Sequence, residues 1–305
     1  MKTVAVIIPA YNAAPWLAEA IESVLGQTVA ASAIVVVDDG STDGTRTVAE
    51  KFGKAIRLLA QENEGVSVAR NRGANQVSAD GLLFLDADDR LRPNALGQLA
   101  ACLERGNFGV AYGETWSFGE GARQRAPQPS CEGAPPAATV ANFWKSVPSS
   151  PGAVLMRSEI FHNSGGFDHE LSTAADRALW LRLGAETTWG HVEEVVLERR
   201  EHPHSMVKDR SRARIQAAQA QLIFLDWCRA ACPGLRPEFP NEGEVFHRNL
   251  LSALDERHFE AVQWLCEEAT RRKVAHATLA HARRLLGMPA LVREAELKLR
   301  GWLKG

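Results

Sequence analysis

Four runs of branched, apolar residues punctuate the first part of the chain: VAVIIP (4–9), AIVVVDD (33–39), AIRLLA (55–60) and LLFLDADD (82–89). Polar residues do not alternate with apolar ones inside them, so they predict strands buried on both faces, as in a parallel sheet. The stretches between them repeat at helical spacing instead. In APWLAEAIESVLGQ, Leu17, Ile21, Val24 and Leu25 form one apolar stripe, Pro15 suits a first turn and Gly26 a C-terminal cap. STDGTRTVAEKFG opens on capping residues and stops at Gly53, and EGVSVARNRGANQVS and RPNALGQLAACLERG continue the series. Strand and helix in turn predict right-handed βαβ units and an open α/β sheet.

Beyond residue 112 the pattern loosens. Residues 113–152 are rich in Gly, Pro and Ser, which predicts long loops over or beside the polar edge of the sheet. AVLMRSEIF (153–161) reads as a strand, and STAADRALWLRLGAE (172–186) as a helix with Ala175, Leu179 and Leu183 on one side. HVEEVVLERREH (191–202) reads as a strand with a basic exit. From about Asp209 only helical patterns follow. The expected division is a first domain over 1–208, with halves at about 1–112 and 113–208, and a helical domain over 209–305.

Ligands of open α/β sheets gather beyond the carboxyl ends of the strands. Here each early strand ends in turn-prone polar residues: PAYN (9–12), DDGSTDG (38–44), QENEG (61–65) and DADD (86–89). Four separate loops thus build one polar rim. Its centre, Asp86, Asp88 and Asp89, crowds three carboxylates that repel one another. One reading is a Mg²⁺ or Mn²⁺ ion that takes carboxylate and diphosphate oxygens together. The other is an acidic turn in which Asp88 or Asp89 faces the N-terminus of a helix starting near Pro93. Tyr11 offers a flat ring to a base, and Asp38 and Asp39 can accept from a uracil N–H or a ribose hydroxyl. Arg70 can reach a base carbonyl or a phosphate, its plainer alternative being a surface arginine. Gly-x-x-x-x-Gly-Lys-Ser/Thr and Gly-x-Gly-x-x-Gly are both absent.

The ordered segments VAVIIPAYNAAPWLAEAIESVLGQT, IVVVDDGSTDGT, NEGVSVARNRGAN and LLFLDADDRLRP resemble the family 2 glycosyltransferases of the GT-A fold. The resemblance is dense over 1–95 and resumes at GGFDHELSTAADRALWLRL (165–183) and RREHPHSM (199–206). It implies a Rossmann-like, mostly parallel sheet flanked by helices, followed here by a helical C-terminal region. It also implies inverting sugar transfer from a nucleotide-diphosphate sugar to a saccharide or lipid-linked acceptor, as in bacterial surface polysaccharide synthesis. By that match Tyr11 and Asp39 meet the base or ribose with Asp38 beside them, Pro9 and Asn12 shape the pocket, and Arg70 assists. Asp86 and Asp88, with Ala87 between them, form the Asp-x-Asp pair that holds Mn²⁺ or Mg²⁺ on the diphosphate. Arg200 and His202 fit the family's Arg-x-His segment, with His204 a weaker candidate. Asp176 matches the base that deprotonates the acceptor hydroxyl; its alternative is a helix-surface Asp paired with Arg177 or Arg182. The family motif there is commonly Glu-Asp, and this chain carries Ala175 instead, which puts acceptor contacts of the missing carboxylate in doubt.

Composition narrows the classes further. Of 305 residues, 45% are hydrophobic and 24% charged, as in an ordinary globular protein, and the net charge of −2 argues against nucleic-acid binding. The acidic excess lies before residue 208 and a basic excess after it. The five cysteines, odd in number and without metal-site spacing, suggest a reducing, cytoplasmic setting. In ALVREAELKLRGWLKG, Leu291, Ala295, Leu299 and Trp302 share a face beside Arg and Lys; that stripe fits either packing on other helices or contact with an anionic membrane. Two further readings compete with the enzyme. A donor-binding module without catalysis is suggested by Ala175. A nucleotidyltransferase of related fold would want a Gly-rich basic loop, which PAYNAAPW lacks. An Asp beside the base suits UDP, and dTDP presents the same edge.

Overall fold

The computed structural model describes residues 1–119, 124–126, 128–129, 131–148, 150–202, 209–232, 234–235, 240–274 and 277–288. Two compact units partition it, Met1–Ser205 and Met206–Gly305. His204 and residues 289–305, with the tail stripe of Leu291, Ala295, Leu299 and Trp302, lie outside the described residues.

The first unit opens with β1 (Val4–Ala10), α1 (Leu17–Leu25), β2 (Ala33–Asp39), α2 (Thr45–Glu50), β3 (Arg57–Gln61), α3 (Val66–Ala74) and β4 (Gly81–Phe84). It continues through β5 (Arg90–Leu91), α4 (Ala95–Arg105), β6 (Val110–Gly119), β7 (Gln124–Ala126), α5 (Pro136–Lys145), β8 (Val154–Arg157), α6 (Ser158–Asn163), α7 (Ala175–Glu186) and β9 (Trp189–Glu201). The strands form one sheet in the order β3-β2-β1-β4-β8-β6-β9-β5, with β7 paired to β6. From β3 to β4 every pairing is parallel. Beyond β4 the sheet is mixed: β8 runs antiparallel to β4 and to β6, while β9 runs parallel to β6. The mostly parallel expectation therefore holds for the first half only. β1, β2 and β4 are buried as their uninterrupted apolar runs require, whereas β3, at the edge, is largely half-exposed.

Local chemistry sets how each helix lands. α1 buries Leu17, Ala20, Ile21 and Val24 against the sheet, whereas Leu25 is 47% exposed. A 100° step per residue carries Leu25 past the stripe, and Ala20 takes the place expected of it. Gly73 brings α3 directly onto the sheet: a Cβ there would sit 2.5 Å from Ile7 Cγ2 and 3.1 Å from Val37 Cγ2. That close approach lays Arg70, one turn earlier, across the carboxyl ends of the strands.

The loops expected over 113–152 are a correction. β6 runs through Gly119 and α5 covers Pro136–Lys145. Gly113, Glu114 and Ser117 mask the strand pattern, yet each is buried or explained by packing. A Cβ on Gly113 would strike Val196 of β9 at 2.6 Å, and Glu114 Oε1 lies 2.7 Å from His191 Nε2.

The second unit is helical in its described residues: α8 (Arg210–Ala231), α9 (Glu242–Asp255), α10 (Phe259–Arg271) and α11 (Ala277–Leu286). Asp209 caps α8, and Asn241 with Glu244 forms a reciprocal capping box on α9. Leu222, Phe224, Phe246, Leu250, Leu265 and Leu285 are buried in it. Among the described residues no helix is long and apolar enough to cross a membrane.

Candidate active site

The rim assembles where β1, β2, β3 and β4 end. Asn12, held at a φ of +49°, accepts a hydrogen bond from Thr42 N–H at 2.9 Å and donates from its own N–H to Ser41 Oγ at 3.0 Å. It thereby ties the loop after β1 to the loop after β2. Pro9 is buried in β1, and Tyr11 stands 51% exposed beside it, a free ring at the rim. Asp38 caps its own turn by accepting from Ser41 N–H at 3.1 Å. Asp39 is buried and accepts from Gln61 Nε2 (2.7 Å), Glu64 N–H (2.9 Å) and Gly65 N–H (2.9 Å). Its carboxylate pins the loop between β3 and α3, a role the sequence pattern does not disclose.

Arg70 is buried and donates to Asp86 Oδ1 at 2.5 Å, with its guanidinium 4.9 Å above the Phe167 ring. The surface-arginine alternative is thus wrong. Asn71, the next residue, donates to Phe167 O (2.8 Å) and accepts from Phe167 N–H (2.9 Å). Ser67 Oγ donates to Leu171 O at 2.7 Å. So α3 grips the 165–171 loop, and that loop leads into α7.

The acidic turn is not a helix cap. β5 intervenes before α4, whose cap residue is Asn94, and Asp89 is turned inward to accept from Arg200 N–H at 2.8 Å. Ala87 packs into the core between its neighbours. Asp88 lies 2.9 Å from His202 Nε2, and Arg200 Nε donates to the Asp88 carbonyl at 3.0 Å. Trp16 stacks on His202 at 4.0 Å between centroids, and Glu19 accepts from Arg200 at 2.7 Å and Arg90 at 3.2 Å. The sequence does not single these residues out: Trp16, just before α1, and Glu19 within it read as ordinary helix positions, and only the fold brings them to the end of β9.

Asp176 occupies the first turn of α7, half-buried, and forms an ion pair with neither Arg177, which gives it only its backbone N–H, nor Arg182, which donates to Gly166 O at 2.5 Å. Burial holds its carboxyl above the usual carboxylate range; the Arg177 N–H at 2.7 Å and the charges of Arg70 and Arg177 oppose the rise, and Asp86 adds to it. Asp176 therefore feels the same Arg70 and Asp86 that form the rim. Ala175 is fully buried, so that position faces packing in this chain.

A family model described as glycosyl transferase family 2 matches residues 5–165, just over half of the chain. The chain belongs to glycosyl transferase family 2. It is 34% identical over 120 residues to glycosyltransferase GlyA of Streptococcus pneumoniae serotype 4, a match covering 38% of this chain and 17% of GlyA. It is 36% identical over 124 residues to the uncharacterized glycosyltransferase YibD of Escherichia coli K12, covering 36% of each. The matched stretch thus spans well under half the length of these relatives. Among solved structures, Staphylococcus aureus TarS 1–349 in complex with UDP-GlcNAc aligns with a TM-score of 0.61 at 17% identity, over 93% of this chain and 90% of that one. The mannosyltransferase PcManGT of Pyrobaculum calidifontis, in complex with GDP-Man and Mn²⁺, aligns with a TM-score of 0.58 at 18% identity, over 98% and 82%. At such identities the likeness is one of fold.

The family 2 rim has a donor set suited to a hard cation. Asp86 and Asp88 side chains are 31% and 30% exposed, with one oxygen of each engaged, Asp86 Oδ1 by Arg70 and Asp88 Oδ2 by His202. Burial, then the charge of Asp86, raises Asp88, and burial followed by Asp88 and Asp86 raises Asp89 well above the carboxylate range. A divalent cation removes that repulsion. Among the described residues no three His, Cys, Asp or Glu side chains converge to hold a metal alone. The pair fits an ion that completes its shell with diphosphate and water.

Proposed function

We propose that this chain is an inverting glycosyltransferase that moves a sugar from a nucleotide-diphosphate sugar, UDP-linked in the first instance, to an acceptor hydroxyl. Tyr11 stacks on the base, Asp38 and Asp39 with Asn12 and Pro9 shape the base and ribose pocket, and Arg70 steadies the donor. Asp86 and Asp88 would hold Mn²⁺ or Mg²⁺, which when bound offsets charge on the leaving diphosphate. Arg200 and His202 place cationic and hydrogen-bonding groups on the same side. Asp176 takes the proton from the acceptor hydroxyl on the face opposite the leaving group, as single-displacement inversion requires. The domain boundary at 208, assignment of 113–208 to the acceptor half, and acceptors in surface polysaccharide or glycoconjugate synthesis belong to this reading.

The observation that carries it is Asp176: a half-buried residue in the first turn of α7 whose carboxyl burial holds above its ordinary pKa, in electrostatic contact with both Arg70 and Asp86. A carboxylate whose proton affinity is raised in this way is a stronger base toward an acceptor hydroxyl than a solvated one. A panel of UDP-, dTDP- and GDP-sugars tested by thermal shift with and without Mn²⁺ identifies the donor. Transfer to acceptor extracts is then scored for wild type and D176N. Donor binding with transfer lost in D176N is the expected result; full transfer by D176N overturns the base. Donor binding without turnover on any acceptor would instead favour a binding module.

A further inference from the structure

Arg177 follows Asp176 in the first turn of α7 and is half-buried. A cation there opposes the partial positive charge of the helix N-terminus, so its position costs stability. Burial further disfavours its charge, and Asp176 is its single opposing electrostatic neighbour. The other arginines of this region are engaged. Arg70 binds Asp86, Arg182 binds Gly166 O, Arg200 binds Glu19 and the Asp88 carbonyl, and Arg90 binds Glu198 and Glu19. The Arg177 guanidinium has no hydrogen bond or ion pair with any described residue, while its backbone N–H goes to Asp176. None of the sealed, unpaired nitrogens of the described residues belongs to it, so its donors open to solvent.

We propose that Arg177 recognises an anionic group, a phosphate or a carboxylate, on the acceptor. The inference rests on the acceptor reading of Asp176. A guanidinium presents paired N–H donors that match either oxyanion in a bidentate fork. An anionic acceptor approaching the Asp176 carboxylate would be repelled, and Arg177 supplies the compensating charge beside it. Ala175, fully buried, contributes no competing carboxylate at the adjacent position. Specificity against neutral acceptors then follows from leaving a partly desolvated cation unpaired.

Calorimetry tests this with wild-type protein, first titrated with UDP and Mn²⁺. Glycerol 3-phosphate and methyl glucuronoside are then titrated against neutral glycerol and methyl glucoside, with and without saturating UDP. The expected result is that at least one anionic probe binds about tenfold more tightly than its neutral partner. The preference vanishes in Arg177→Gln and survives in part in Arg177→Lys, and UDP affinity reports whether each variant is folded. Which anion wins distinguishes phosphate from carboxylate. Equal affinity for charged and neutral probes, or an anion preference that persists in Arg177→Gln, overturns the proposal. Absence of UDP binding beside an intact Arg177-dependent preference would overturn the donor reading instead.

Discussion

At Asp176, burial and charge pull in opposite directions, and the balance sets two measurable pH effects. Burial raises its pKa above the ordinary 3.8. The folded chain therefore keeps this proton to higher pH than the unfolded chain does. Stability from this group is present below the unfolded value and is lost as pH rises through the raised one. Asp176→Asn removes that loss: it should melt at higher temperature than wild type at neutral pH, with the gap closing as pH falls toward 4, followed by circular dichroism melts. Transfer by wild type should rise with pH along the same raised ionisation, and Asp176→Asn should lose about 10²–10⁴-fold. A pH-independent rate would count against Asp176 as the base. Individual side chains were legible to different degrees. Asp86, Asp88, Arg70 and Asp176 sit in dense local motifs, so the string itself nominates them as candidates. The inward turn of Asp89 and the three donors on Asp39 depend on residues far along the chain and do not.

Between elements, the coupling of α3 to the 165–171 loop is the feature to perturb. Gly166 has a φ of +74°, and a Cβ there would meet Asn71 Oδ1 at 2.6 Å. Gly166→Ala should cost about 1–3 kcal/mol in urea denaturation, because a left-handed backbone and the Asn71 clamp are strained together. It should also weaken UDP binding, since Phe167 lies under Arg70; unchanged UDP affinity would separate the loop from the donor site. Elements with a single strong period were readable: β1, β2, α1 and α8 declare themselves. β6 hides because Gly113 and Glu114, which break its apolar pattern, are used for contact with Val196 and His191. Trp16 and Glu19, at the start of α1, look like routine helix positions, and their contacts emerge from the placement of β9.

Across the molecule, the sheet changes from parallel to mixed where β8 enters, a topological step that local patterns in β8 and β9 do not specify. The helical unit offers an independent check on energetics. Arg272 meets Glu268 at 2.7 Å, Asp226 at 2.8 Å and Glu242 at 2.9 Å, and Arg229 joins Asp226 and Glu242 as well. Arg272 is 16% exposed, so removing it takes the shared cation from Glu268 and Glu242, the two less exposed carboxylates, and leaves Arg229 and Arg271 as the remaining partners of the cluster. Arg272→Met should lower stability by about 1–3 kcal/mol, discounted for the exposed Asp226, and high salt should narrow the difference. An unchanged urea midpoint would show that the network is only a surface arrangement.

In the proposed reaction Asp86 and Asp88 hold a nucleotide diphosphate through a divalent cation. Calorimetric titration of UDP into wild type and Asp88→Asn, each with and without Mn²⁺, tests it most directly. UDP binding to wild type should strengthen markedly with Mn²⁺, and that metal effect should be lost in Asp88→Asn while the variant remains folded. UDP binding of equal strength with and without Mn²⁺, or a metal effect untouched in Asp88→Asn, would contradict it.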